Sequence, residues 1–346
     1  MRTRKIIIPA TNTSASLKTI KRKTNVTDVA KAAGVSVATV SRAFNIPGAV
    51  KDDLRSHVLT IANSLGYTPN PAAKALRLQK SHMVGVVIPT INHAFFAAML
   101  DSFQEVMSAA GYLVIVVTCG FDNNKVFDQV RRLIDRGADA LLLVGRVEDS
   151  RVRDLITEKK IPVITTYSYQ NDDSIPSIGF DNYAAMRLMV SYLVRLGHKR
   201  LVMIAGPTQG NDRQQARIRA FYDTREANNI VEPWHVIELS YNGAFAEGAE
   251  AMRKIHAEFP DTTAVVCNSD SFAFGVLAEC RKLALRVPED ISVTGHDDQD
   301  FACMLAPPSP QSLYRQKTWV DTPPMHSYMH FPTATRSLQS TLMRTF

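Results

Sequence analysis

Hydrophobic positions fall into three regimes along this chain. Between residues 26 and 65 they recur at helical spacing in three short runs. In the stretch TDVAKAAGVSVATVSRAFN, Thr27 to Asn45, two runs flank a tight turn at Ala33, Gly34 and Val35. At the helical period Val29, Ala30 and Ala33 share one face of the first run, and Val40, Ala43 and Phe44 one face of the second. Val37, Ala38, Ser41, Arg42 and Asn45 fall on the opposite face of the second. Thr27 and Ser36 are expected to cap the two helices, since a side-chain oxygen there accepts an orphan N–H. A third helix is predicted over 52–65, with Leu54, Val58, Ile61, Ala62 and Leu65 toward the core and Gly66 as its stop.

From Met83 the pattern alternates between continuous apolar runs and amphipathic ones. Strands are predicted over 83–89, 112–118, 138–144 and 162–167, with helices over 94–110, 125–136 and 151–159 between or after them. A second series starts at 178–182, with helices over 183–196, 214–228, 243–258 and 271–285 and strands that include 200–205, 264–268 and 291–295. Apolar strands alternating with amphipathic helices predict parallel sheets covered on both faces. The expected fold class is a small all-α helix-turn-helix head followed by an α/β domain of two doubly wound parallel-sheet subdomains, about 82–179 and 180–296. The third regime is the two ends. Residues 1–24 are rich in Lys, Arg, Thr and Ser without periodicity, and are expected to be a disordered basic extension. It reads as an upstream start or as a phosphate-binding arm. After Pro308 no period is visible, and six of the 17 prolines fall in the last 42 residues. Residues 309–346 are therefore expected to be a poorly ordered tail. The abrupt change fits a shifted reading frame near Pro308, and a divergent but folded end is the alternative.

Charge sharpens the division. Residues 1–80 hold 14 Lys and Arg against 3 Asp and Glu, while the remaining 266 hold 26 against 30. A basic head on a mildly acidic body points to nucleic-acid binding by the head alone. Four scattered cysteines without CxxC spacing disfavour a zinc site or a disulfide framework and fit a reducing cytoplasm. No apolar run is long enough to cross a membrane, and the Ile6–Ile8 run is too short for a signal-peptide core. Neither GxGxxG, Walker A, GxSxG nor HExxH occurs, so no catalytic residues and no cofactor are expected. The pair His326 and His330 lies in a Pro-rich stretch without helical pattern and carries little weight as a metal site.

Taken alone, residues 27–45 also fit a surface helical hairpin. The motifs VTDVA (26–30), GVSVATVSR (34–42) and LGYTPN (65–70), followed by the apolar run after Met83, decide between the readings. Their order and spacing, from about residue 25 to 308, resemble the LacI/GalR family of bacterial transcription regulators. The resemblance implies a helix-turn-helix head at 25–69 whose second helix enters the major groove, with Thr27, Ser36, Val37, Ala38, Thr39, Ser41, Arg42, Asn45 and Tyr67 facing DNA. It implies a hinge helix at 70–81 (NPAAKALRLQKS) that orders on operator DNA, where Leu76 wedges a minor-groove step and Asn70, Ala73 and Arg77 lie alongside; a plain linker is the alternative. It also implies that the body, 82–308, has the periplasmic-binding-protein fold and binds a small effector.

Ligands of open α/β sheets lie beyond the carboxyl ends of the strands. Those ends supply Asn92, Phe95, Phe96, Asp122, Arg146, Arg217, Ser269, Asp270, His296 and Asp297 as candidate effector contacts. Such residues suit a sugar or sugar acid, through forked arginine bonds, carboxylate pairs and an aromatic face. Arg217 heads RIRAF, which is similar to the family's effector-contacting arginine motif, and Asp270 lies in CNSDSFAFG, with Ser269 where the family commonly has asparagine. His296 stands where the family usually carries an apolar or aromatic residue. Bland readings compete: Asp270 as a helix cap, Phe95 and Phe96 as core or interface, His296 as a loop residue. Helices 94–110 and 271–285 resemble the family's dimer-forming elements. The sequence thus points to a cytoplasmic homodimeric or tetrameric repressor that binds palindromic double-stranded DNA under a small effector's control. The alternatives are a solute-binding receptor, an α/β enzyme, and a regulator made defective by its altered C-terminus.

Overall fold

The computed structural model describes residues 24–69, 80–169, 175–297 and 299. The chain divides into two compact units, Met1–Gln79 and Lys80–Phe346. Among its described residues the first holds three α-helices, α1 (Val26–Ala33), α2 (Val37–Asn45) and α3 (Asp52–Ser64). Its core is Val29, Ala30, Ala33, Val40, Ala43, Val58 and Ala62, closed over by half-buried Phe44, Ile61 and Tyr67. Leu54 and Leu65, expected in this core, are 37% and 39% exposed, because the short helix turns them past its buried stripe. Asn25, not Thr27, caps α1: its side chain accepts from the Thr27 and Asp28 amides, and Asp28 answers by accepting from the Asn25 amide. Ser36 caps α2 through the Thr39 amide, and Gly34 supplies the left-handed turn between the two (φ 67°). The Thr24 hydroxyl donates to the Leu65 carbonyl and ties the start of α1 to the end of α3.

The second unit holds two parallel sheets. The first joins β1 (Met83–Ile88), β2 (Leu113–Thr118), β3 (Ala140–Val144), β4 (Val163–Thr166) and β5 (Ser177–Ile178) in the order β2-β1-β3-β4-β5. Between or after them lie α4 (Ala94–Ala109), α5 (Asn123–Asp135) and α6 (Ser150–Lys159). The second joins β6 (Leu201–Ala205), β7 (His235–Glu238), β8 (Ala264–Cys267) and β9 (Ser292–Thr294) in the order β7-β6-β8-β9. Its helices are α7 (Asn182–Arg195), α8 (Asp212–Ala227), α9 (Ala244–Glu258) and α10 (Asp270–Lys282). Each sheet is packed on both faces, by clusters built on Val86 and Leu141 in the first lobe and on Val265 and Met203 in the second. Residue 178, read from sequence as opening the second series, instead pairs with β4 and closes the first sheet. Strand β7 is an addition to the predicted strands.

In each sheet the winding reverses beside the first strand, so the crevice opens beyond β1 and β3 on one side and β6 and β8 on the other. Among the described residues no helix is long and apolar enough to cross a membrane, and no group of His, Cys, Asp and Glu is placed to hold a metal. The extension before Thr24, the segment 70–79 that contains Asn70, Ala73, Leu76 and Arg77, and the tail from 309 lie outside the described residues.

Candidate DNA-recognition helix and ligand cleft

In the head, packing of Val40 and Ala43 into the core leaves Ser36, Val37, Ala38 and Arg42 exposed along α2. Thr39 and Ser41 are half-buried at the edges of that face, and Asn45 turns back to donate to the Ser41 carbonyl at 2.8 Å. Thr27 is exposed in the first turn of α1. Tyr67 lies edge-on to Phe44 at 5.8 Å, so its ring is part of the packing of the head. The exposed face therefore offers one guanidinium, two apolar side chains and a hydroxyl, a set able to read a guanine edge and a thymine methyl.

In the second unit a cleft of about 490 Å³, its open mouth included, lies between the two lobes. Aromatic side chains make much of its wall: Phe95, Phe96, Phe121, Tyr167 and Phe180 from the first-lobe segments and Tyr241 from the second. Thr90, His93, Asn211, Arg213, Gln214, Arg217 and Asp297 supply the polar groups. Arg217 is buried on α8 and donates from Nε to Asn182 Oδ1 and from Nη1 to the Asn268 carbonyl, both at 3.0 Å. Both acceptors are neutral, and further guanidinium N–H donors are left for a ligand. Arg213, one turn earlier, is paired with Asp212 at 3.0 Å, and Asp212 also accepts from the Ser168 hydroxyl. Gln214 is fixed between Asn268 Nδ2, whose bond it accepts at 2.7 Å, and the Tyr241 hydroxyl, to which it donates at 3.0 Å.

Asp297 sits past the end of β9 with a φ of 104°, a conformation that costs a non-glycine residue strain and that recurs at ligand sites. Burial pushes its carboxyl up to about 7, against the opposing pull of the Arg217 charge. Burial holds the His93 imidazole down to about 4, with Arg217 adding to the effect. His93 Nε2 lies 3.8 Å from Asp297 Oδ2 and 3.3 Å from Ser269 Oγ. Two polar atoms of the lining, His93 Nδ1 and Asn211 Oδ1, are buried without a hydrogen-bond partner among the described residues.

Of the residues singled out from the sequence, Phe95, Phe96, Arg217 and Asp297 are brought together around the cleft. Ser269 lies just behind it, buried, and caps α10 through the Ser271 amide. The helix-capping role weighed for Asp270 thus falls to its neighbour; Asp270 instead accepts from the Gln299 amide at 2.8 Å. His296 is buried against Phe180, ring centroids 5.9 Å apart, and its carbonyl accepts from the Asp270 amide. It is not part of the lining. Asn92, Asp122 and Arg146 are exposed and are also absent from it. Asp122 is occupied as the cap of α5, and the Asn92 amide closes a turn on Thr90 Oγ1. Missed were Arg213 and Gln214, legible once Arg217 is chosen because positions three and four apart share a helix face. Tyr241 was hidden by the unrecognised β7 that leads to it.

A helical head presenting one polar face, followed by a two-lobed α/β unit closed around a polar and aromatic cleft, defines a ligand-responsive DNA-binding protein. Residues 25–70 match the family model of bacterial regulatory proteins of the lacI family. Residues 81–323 match that of periplasmic binding proteins and the sugar-binding domain of the LacI family, a match that continues past Pro308. The HTH-type transcriptional repressor CytR of Escherichia coli (strain K12) is 31% identical over 304 residues, 84% of this chain and 86% of that protein. Among solved structures, a LacI-family regulator from Silicibacter pomeroyi superposes with a TM-score of 0.74 at 22% identity, covering 86% of this chain and 92% of that one. The lac repressor dimer bound to operator and the anti-inducer ONPF gives 0.72 at 23% identity, covering 87% and 92%. The chain belongs to the LacI family of bacterial regulatory proteins. It is a DNA-binding transcription regulator with a sugar-binding type of effector domain.

Proposed function

We propose that the protein is a repressor which binds a palindromic operator as a homodimer and is switched by a sugar or sugar acid held in the cleft. The observation that carries this reading is Arg217: a guanidinium buried on the cleft wall, bonded to neutral acceptors, with the strained Asp297 lining the same cleft. A ligand bonded to Arg217 and Asp297 of the second lobe and covered by Phe95 and Phe96 of the first touches both lobes, which gives it differential affinity for the closed arrangement, as an effector needs to shift an equilibrium. Support for the DNA half comes from the exposed face of α2, where Arg42 suits a guanine and Val37 and Ala38 suit thymine methyls. Pairing is proposed to run through α4 and α10; exposed Leu113 and Val116 on edge strand β2 and Phe274 on α10 are consistent with a covered apolar surface.

The test combines selection and release. Selection from random duplex DNA should return an inverted repeat, and Arg42→Ala should weaken the selected site by roughly 1–3 kcal/mol while relaxing one base position per half-site. Arg217→Ala should retain operator binding and lose any release caused by D-glucose, D-galactose, D-ribose or their acids. Selection without a repeat counts against the dimer, and unchanged release in Arg217→Ala removes the arginine from the effector site.

A further inference from the structure

His93 occupies the N-cap position of α4, yet its side chain makes no capping bond. Its ring turns across the cleft instead. Nε2 reaches Ser269 Oγ at 3.3 Å and Asp297 Oδ2 at 3.8 Å, both at the carboxyl ends of second-lobe strands, and the ring stands edge-on to Tyr241 at 5.4 Å. The Ser168 hydroxyl on Asp212 crosses between the lobes in the same way. The charged and titratable groups facing the ring are Arg217, Asp297 and Tyr241, with Asp270 near Asp297 and Arg213 near Tyr241 and Arg217. Beside a buried arginine the imidazole is neutral, so one ring nitrogen carries the proton and the other a lone pair. The Ser269 hydroxyl is hydrogen-bonded to the Asp297 carboxyl, so its oxygen is the acceptor for Nε2 at 3.3 Å, which places the proton on Nε2 and leaves Nδ1 as an acceptor. That Nδ1 is buried without a partner in a ring that lines the cleft, and Asn211 Oδ1 is a second buried acceptor in the same state.

We propose that His93 is the residue through which the effector closes the cleft, tied to the second lobe by Nε2 and taking a hydrogen bond on Nδ1 from a hydroxyl or N–H donor of the effector. The proposal rests on the reading of the cleft as an effector site and adds to it the chemistry required at one point. A group that only accepts hydrogen bonds, such as a carboxylate, is disfavoured against Nδ1, whereas a polyhydroxylated ligand supplies donors to both His93 and Asn211. Occupancy and closure then share one side chain, because a ligand that fixes the ring for one lobe also fixes it for the other.

The test uses the full chain with spin labels at Lys125→Cys and Asn242→Cys, exposed positions on the two lobes. A Cys303→Ser background serves, since Cys119, Cys267 and Cys280 are buried. Without ligand, His93→Ala should lengthen and broaden the distance between labels, and His93→Gln, which retains a donor and an acceptor, should restore it. Thermal shifts with D-glucose, D-galactose, D-ribose and D-gluconate on the same proteins give the second readout. A compound that stabilises wild type should bind His93→Ala about tenfold more weakly, the scale of one lost hydrogen bond. An unchanged distance in His93→Ala, or stabilisation equal to wild type, overturns the proposal. If no compound stabilises wild type, the sugar-site reading falls, and the distance measurement alone decides whether His93 joins the lobes.

Discussion

Asp297 concentrates the physical chemistry of the cleft in one residue. Its carboxyl is raised from 3.8 to about 7, so across that window the folded chain holds a proton that the unfolded chain has released. Stability from this group is present at low pH and is lost as pH rises toward 7. His93 acts in the opposite sense: lowered from 6.5 to about 4, it costs stability as pH falls through that window. The two slopes oppose each other in mildly acidic solution, and only Asp297 remains to act at neutrality. Asp297→Asn removes the buried charge with little change of shape. It should raise the stability of the second unit at about pH 8, on the order of 3–4 kcal/mol, and by less than half as much at about pH 5, where the unfolded carboxyl is already ionised but the folded one still holds its proton. Thermal unfolding at both pH values checks this; an equal gain at both would trace the effect to packing rather than to ionisation.

At the scale of elements, the pattern of apolar positions located the two series of strands and helices because each buries a continuous face. It was weakest where burial is partial. Strand β7 (HVIE) lies at a sheet edge with half-buried and exposed residues, and so lacks the apolar run that marked its neighbours. Thr27 was read as a cap because a capping residue is recognised by type, whereas Asn25, two positions earlier, is fixed as the cap only by the reciprocal bond from Asp28. The cleft was legible through Arg217 and Asp297, which sit in charged motifs at strand and helix ends. It was not legible through Phe121, Tyr167 or Phe180, since an aromatic residue in a loop reads alike whether it packs a core or lines a site. Helices α9 and α10 show a further detail that pattern alone cannot give. A Cβ added at Gly275 would stand 2.1 Å from the Phe245 carbonyl oxygen and 2.8 Å from the Ala249 amide nitrogen, both backbone atoms with little freedom to move. Gly275→Ala should therefore destabilise the second unit by roughly 1–3 kcal/mol in urea, even though alanine favours a helix by about 1 kcal/mol. A stabilised variant would mean that α9 and α10 can separate at little cost.

Across the whole molecule, charge is divided by task. The first 80 residues carry 14 basic against 3 acidic side chains, and the remainder 26 against 30. The head's charge works by neutralising phosphates and releasing counterions, which makes affinity fall with salt by a slope of about −0.9 per contact. If each head of a dimer neutralises about three phosphates, the slope is about −5, and operator affinity should drop by about 10³-fold between roughly 50 and 200 mM salt. The cleft's charges work differently. Arg213 is paired with Asp212, Arg217 is buried against neutral acceptors, and Asp297 is buried beside His93, so mobile ions screen them little. Binding of a neutral sugar there releases no counterions, and its affinity should change by less than about twofold over the same range. Fluorescence anisotropy on the selected operator and calorimetry with the stabilising sugar, both on the full chain, measure the two slopes. A shallow operator slope would mean that apolar and base contacts, not phosphates, hold the head on DNA. A steep sugar slope would mean that the cleft's charges are exposed to solvent ions when the ligand arrives, which is the behaviour of an open cleft that closes only afterwards.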